Sequence, residues 1–236
     1  MIVPKKHLII GSLIIGASFV IQPFSLLYVQ MKIAPKLAPI LMHQNQDGTP
    51  VTVGKEIMNE DLKVRGNTDA KIYLVEYSDY QCPFCGRFHP TLKQELSANP
   101  GKIAWIYKYF PLTQIHPNAR PSAIAAECVF KLGGTEKFWS YSDTLIADQT
   151  NLSDALYKSE AAKLGINSAQ FSACLNDKTI ADEVDNNTKE GESLGVNGTP
   201  STFVVKNENG KMTILENING ALPKETVDSI IAKYSN

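Results

Sequence analysis

Ile72-Tyr73-Leu74-Val75-Glu76-Tyr77-Ser78-Asp79-Tyr80-Gln81-Cys82-Pro83-Phe84-Cys85 is the stretch whose reading decides the fold. Its first half is an apolar, β-prone run; its second half ends in a Cys-x-x-Cys motif. That motif at the seam between a strand and a helix turns a thiol into a redox reagent. The first cysteine then sits at the first turn of the helix, where unpaired backbone N–H groups and the helix dipole favour a thiolate. The second lies one turn on, close enough to close a disulfide. Pro83 suits the first helical position, because its missing N–H would have had no helical partner.

Other chemistries of a cysteine pair fit less well. A zinc half-site needs a second close Cys or His pair, and the remaining cysteines, Cys128 and Cys174, stand far apart. Covalent haem attachment needs His directly after the second cysteine, and Gly86 stands there. A purely structural bridge across two residues is strained and labile, a poor staple. The acidic group Asp182, Glu183 and Asp185 lacks the loop spacing of a calcium site and reads as a solvated helix face. No metal site and no cofactor are expected.

The 236 residues are 43% hydrophobic and 20% charged with a net charge of −1, an ordinary globular composition. No basic excess points to nucleic acid. The N-terminus differs: after Lys5-Lys6, no charge appears from Leu8 to Gln30. That length can cross a bilayer as a helix, with Pro23 as a tolerated kink. Residues 1–33 therefore read as a membrane anchor, with a cleaved signal segment as the alternative. Lysines flank the span on both sides, so charge does not orient it. Disulfide chemistry belongs in an oxidising compartment, which sets the remainder of the chain outside the cytoplasm. Residues 34–60 are polar and rich in Pro and Gly, the composition of a tether.

The strand signal recurs at Leu62–Val64, Ile72–Tyr77, Ile103–Phe110, Thr202–Val205 and Met212–Glu216. The last two flank the turn cluster Asn207-Glu208-Asn209-Gly210 and predict an antiparallel hairpin. Pro223 opens a final helix with Val227, Ile230, Ile231 and Tyr234 on one face. Between the third and fourth strands, helices are predicted over 119–132, 135–147, 153–164, 168–175 and about 180–194, with Ser153 and Ser168 as N-caps. The fold class is α/β: a thioredoxin-like domain over residues 61–236 with a helical insertion over about 117–195.

The quoted stretch, with Phe110-Pro111-Leu112, His116-Pro117-Asn118-Ala119 and the late loop Gly195-Val196-Asn197-Gly198-Thr199-Pro200, resembles DsbA-type thiol:disulfide oxidoreductases, in the branch of the membrane-tethered BdbD-like proteins. The resemblance covers about residues 60 to 236 and includes Pro90, which matches the proline inside the active-site helix. It implies that Cys82 is the attacking sulfur and Cys85 the buried resolving partner, with Pro83 and Phe84 facing the substrate. Phe84 stands where the best-known relative has histidine, which implies a somewhat milder oxidant. Pro200 matches the family's cis-proline, beside which the Thr199 backbone receives an extended substrate segment as an added strand. Glu76 matches the buried acid that moves a proton on or off Cys85. A buried carboxylate needs a partner or a proton, and Lys108 on the next strand is the candidate charge partner. His89 and His116 read as packing or capping groups, and Trp105, Trp139, Phe138 and Phe171 as core.

Cys128 and Cys174 fall on the apolar sides of their helices. In an oxidising compartment with an even count they are expected to form a structural disulfide, the alternative being two buried free thiols. The partners implied by the resemblance are exported protein thiols as substrates and a quinone-linked membrane oxidase, DsbB-like or VKOR-like, for reoxidation. The expected place is the bacterial cell membrane, with the catalytic domain on the periplasmic or extracellular side, or the periplasm after signal cleavage. A disulfide isomerase or reductase of the same fold remains open, as does a non-catalytic binding module or holdase.

Overall fold

The computed structural model describes residues 52–53, 62–208 and 211–235. The predicted anchor, residues 1–33, and most of the tether lie outside them. Among the described residues no helix is long and apolar enough to cross a membrane.

Among the described residues six strands form one mixed sheet: β1 (Thr52–Val53), β2 (Val64–Gly66), β3 (Ile72–Ser78), β4 (Ile103–Tyr109), β5 (Ser201–Glu208) and β6 (Lys211–Asn219), in the order β1-β6-β5-β3-β4-β2. Only β3 and β4 run parallel among these pairings. A helix, α1 (Pro83–Ala98), makes the crossover between them. β3 and β4 are buried along their whole length, as a sheet covered on both faces requires. This is the thioredoxin-like α/β arrangement that the sequence predicts.

The first predicted strand lies two residues late, and β1 falls in a region read as tether. There Thr52 and Val53 pair with Thr213 and Met212 at the sheet edge, a pairing too short to leave a periodic signal. The two helices predicted over 119–132 and 135–147 run on as one, α2 (Ala119–Ala147), broken only where Gly134 takes φ 78°. A left-handed φ of that kind is the one glycine tolerates and other residues resist. Then follow a 3₁₀ turn (Gln149–Asn151), α3 (Asp154–Lys163), α4 (Ser168–Cys174), α5 (Lys178–Ser193) and α6 (Lys224–Tyr234). Ser153 caps α3 as predicted. The cap of α4 is Asn167 instead of Ser168, its carboxamide oxygen accepting from the N–H groups of Ala169 and Gln170. Asn and Ser are comparable caps, so spacing could not choose between neighbours.

One core fills the face where α1 lies: Ile72, Leu74, Trp105 and Tyr107 of the sheet meet Phe88 and Leu92 of α1 and the helical block. The opposite face buries Tyr73, Val75, Tyr77, Phe203 and Val205. The end of α5 closes over it, because Gly191 brings its backbone against the rings of Tyr77 and Phe110, where a Cβ would not fit. Cys128 and Cys174 are bonded and tie α2 to α4 across a separation of 46 residues.

Candidate active site

β3 ends at Ser78, and the chain turns through residues 79–82 into α1. Cys82 is the N-cap residue itself, with extended backbone, and Pro83 is the first helical residue. Pro83 thus takes the first helical position, as the motif suggests. The thiol still faces the unpaired N–H groups of the first turn. Both motif cysteines are free thiols and both are buried.

Their environments push them apart. The Cys82 thiol is pulled down to about 5, first by the hydrogen bond from the Cys85 thiol, against burial, with help from Thr199 and the backbone N–H groups of Cys85 and Phe84. Burial pushes Cys85 well above the ordinary thiol range, and the neighbouring Cys82 and Glu76 add to the shift. A low-pKa sulfur at a helix start beside a shielded partner is the division of labour that thiol–disulfide exchange needs.

The late loop completes the site. The Thr199–Pro200 bond is cis, and the Cys82 Sγ–H donates to the Thr199 carbonyl oxygen at 3.4 Å. Phe84 is 52% exposed, with the Arg87 guanidinium 4.3 Å from its ring centroid. The Thr199–Pro200 loop thus lies against Cys82, next to Pro83 and the exposed Phe84 at the start of α1, while Cys85 and Glu76 are wholly buried.

Glu76 is wholly buried, and burial raises its carboxyl to about 7. Its Oε2 accepts from the indole N–H of Trp105 at 3.0 Å. Lys108 is not its partner: the ammonium bonds Glu190 Oε2 at 3.1 Å. The reason is register. Glu76 stands beside Tyr107, and Lys108 beside Tyr77, so Lys108 points to the opposite face of the sheet. Tyr77 follows the same rule, its hydroxyl donating to Glu190 Oε1 at 2.5 Å.

Asp79 and Gln149, which the sequence reading passed over, hold the turn together with His116, read there as a packing or capping group. Asp79 Oδ1 accepts from the Gln81 N–H at 2.7 Å, a local turn bond that an Asp at this spacing could have announced. Its Oδ2 accepts from the Leu112 N–H at 2.9 Å and meets His116 Nδ1 at 2.7 Å. The backbone N–H of Asp79 in turn points at Cys85 Sγ, 3.5 Å away. Gln149 donates from Nε2 to the carbonyls of Tyr80 and Cys82, both at 2.8 Å. Its carboxamide lies so near Gly86 that a Cβ there would collide with it. His116 and Gln149 reach the turn from remote segments, His116 in the packing role read for it and Gln149 with nothing local in the sequence to mark it. His89 bonds Asp143 and not the thiols. Asp185 and Asp182 are taken by Arg120 and Lys178.

The reduced protein is expected to show a thiolate absorbance that titrates at about pH 5 and is missing from Cys82→Ser. Folding depresses this pKa, so the stability it contributes is complete above the ordinary thiol value and is lost as pH falls through about 5. The disulfide form has no such thiolate. Reduced protein should therefore lose stability relative to oxidised protein on acidification through that range, as measured by paired urea titrations. Parallel curves would exclude the depressed pKa.

The sequence model of a family described as Thioredoxin matches residues 59–230. Among curated proteins, the Na(+)/H(+) antiporter NhaA 3 of Salinispora tropica is 33% identical over 141 residues, which are 60% of this chain and 21% of that protein. The Na(+)/H(+) antiporter NhaA 1 of Mycolicibacterium gilvum is 29% identical over 168 residues, 69% of this chain and 26% of that protein. The chain thus spans only about a fifth to a quarter of the length of these curated relatives. Among solved structures, Wolbachia pipientis alpha-DsbA1 superposes with a TM-score of 0.65 at 23% identity, covering 78% of this chain and 96% of that one. Pseudomonas aeruginosa DsbA2 gives 0.59 at 23% identity, covering 72% and 92%. A periplasmic thioredoxin-like protein from Salmonella enterica serovar Typhimurium gives 0.62 at 20% identity, covering 78% and 99%. At these identities the structures establish the fold, and the DsbA-type resemblance read from the sequence is borne out at that level.

Proposed function

The chain belongs to the thioredoxin family, and on that premise we propose that it is a thiol:disulfide oxidoreductase of DsbA type that introduces disulfide bonds into exported proteins. The observation that carries the reading is the contrast between Cys82, with its thiol at about 5, and the shielded Cys85. In the oxidised protein, a substrate thiolate attacks Cys82 Sγ. The Cys82–Cys85 bond breaks, a mixed disulfide forms, and Cys85 leaves as a thiolate that takes a proton. The substrate's second thiolate then attacks the substrate sulfur of the mixed disulfide and expels Cys82 as a thiolate. Two substrate thiols have become a disulfide, and the protein retains the electron pair as a dithiol. The better Cys82 is stabilised as a thiolate, the more readily it leaves and the stronger the oxidant.

Glu76 supplies or accepts the Cys85 proton in this scheme, and a carboxyl near 7 exists in both forms at neutral pH. Thr199 and Pro200 receive the substrate backbone beside Cys82, and Pro83 and Phe84 form the surface it meets. In this proposal residues 1–33 are the membrane anchor that holds the domain on the periplasmic or extracellular side, where a quinone-linked oxidase restores the disulfide.

The test is the reduction potential of Cys82–Cys85 in the full chain, equilibrated in glutathione buffers. Each cysteine is read separately by differential alkylation and mass spectrometry, so that Cys128–Cys174 does not contribute. A value of roughly −180 mV or above is expected, the range of disulfide donors. A value of roughly −250 mV or below would identify a reductase-like dithiol and reverse the proposed direction of electron flow.

A further inference from the structure

We propose that Trp105 is a positioning residue for the exchange reaction: its indole N–H fixes the Glu76 carboxylate beneath the cysteine pair and takes the place of a cationic partner. The inference rests on the exchange reading above and deepens it.

The contact is direct and buried. Trp105 Nε1 donates to Glu76 Oε2 at 3.0 Å, and both residues are wholly buried. Trp105 stands beside Leu74 and Tyr107 beside Glu76 in the parallel ladder, so both aromatic residues share the face on which Glu76 points. The groups around the carboxylate come from every packed element. They are Ser78 on its own strand, Tyr80 in the turn, Cys82 and Cys85 at the start of α1, Trp105 and Tyr107 on β4, and Thr202 on β5. None of these is a cation.

The indole is itself clamped. Its ring centroid lies 4.5 Å from that of Trp139 and 4.8 Å from the edge-packed His89 ring. The Arg65 guanidinium covers Trp139 at 4.4 Å and reaches Trp105 at 5.7 Å. Asp143 gathers the clamp: its oxygens accept from Arg65 at 2.9 and 3.0 Å and from Lys93 at 2.8 Å, and meet His89 Nε2 at 2.7 Å. Thus α2, through Asp143, sets the position of a donor that lies under the redox motif.

A neutral donor suits the task better than a cation. An ammonium at this depth would hold the carboxylate ionised far below neutral pH, and it would then seldom carry a proton to give. An N–H donor fixes one oxygen while leaving the acid protonatable near neutrality, in keeping with a carboxyl raised to about 7. With Oε2 on the indole N–H and the Ser78 hydroxyl also favouring the charged form, the carboxyl is held by neutral donors alone and stays free to exchange a proton with Cys85 Sγ.

The experiment is the pH dependence of exchange between the full-length oxidised protein and a dithiol peptide, in wild type, Trp105→Phe, Glu76→Gln and the double variant. Removing a hydrogen bond to a charged group is expected to move the Glu76 inflection up by about one pH unit, a tenfold change in acidity. In the Glu76→Gln background the same substitution should change nothing. An inflection that stays in place in Trp105→Phe overturns the proposal, and so does an equal effect in both backgrounds. A second readout needs no altered Trp105: the indole N–H resonance of Trp105, told apart from Trp139 by Trp139→Phe, should titrate with the Glu76 inflection in wild type and stay flat in Glu76→Gln. A flat wild-type resonance overturns the contact. A wild type without exchange activity would instead refute the function proposed above, so the two failures are distinguishable.

Discussion

Cys82→Ser is expected to reduce disulfide exchange to the rate of free thiols in solution, while Cys85→Ser retains the attack of Cys82 on a disulfide substrate and stalls at the mixed disulfide. At pH 7 a thiol with a pKa of about 5 is about 99% thiolate, so Cys82 both attacks and leaves in its reactive form. Cys85 is fully buried and its thiol is held protonated. In Cys85→Ser, a substrate disulfide attacked by Cys82 has no internal thiol to release it. The mixed disulfide should accumulate and be seen as a mass increase on non-reducing analysis, absent from Cys82→Ser. Alkylation of the reduced wild type should label Cys82 first and leave Cys85 protected. If Cys85→Ser turned over like wild type, or if Cys85 were the residue labelled first, the assignment of roles would be reversed.

The local part of this site could be read from the chain, because it depends on neighbours in sequence. A strand followed within a few residues by Cys82-Pro83-Phe84-Cys85 fixes where the helix starts, and the helix start fixes which sulfur is acidic. The β3–α1–β4 unit and the final hairpin were legible for the same reason. The partner of Glu76 was not. Choosing between Trp105 and Lys108 requires the register of β3 against β4, and a shift of one residue exchanges the two faces. Asp79 has a local half, its bond to the Gln81 N–H, and a remote half, its contact with His116. Only the first leaves a mark in sequence. Gln149 belongs to a 3₁₀ turn after the long helix, and its reach back to the carbonyl of Cys82 follows from how the helical block packs, which no periodicity encodes.

The same packing depends on a buried charge pair, and breaking it should have the largest effect on stability. Lys63 Nζ lies 2.7 Å from Glu127 Oε2, with side chains 3% and 0% exposed. Burial pushes the Lys63 ammonium below its ordinary pKa, while Glu127 pulls it back up. The ammonium also lies over the rings of Phe130 and Tyr109, at 4.6 and 5.0 Å, and the Tyr109 hydroxyl donates to the same carboxylate oxygen at 3.0 Å. Lys63 precedes β2 and Glu127 lies on α2 beside Cys128, so the pair joins the sheet edge to the helical block. Lys63→Met leaves the carboxylate buried with only a hydroxyl and the more distant Lys131, 3.8 Å from Oε1. Such orphaned charges cost about 3–5 kcal/mol. With a urea slope of roughly 2 kcal/mol/M for a domain of this size, the midpoint should fall by about 2 M. The double variant Lys63→Met, Glu127→Leu removes both charges and should recover most of the loss, because two buried charges also carry a large desolvation cost. A single variant with the wild-type midpoint would show that the carboxylate is neutral or solvated in the folded protein. A double variant no better than the single would show instead that Lys63 acts through its contacts with the two rings, and that the ion pair contributes little.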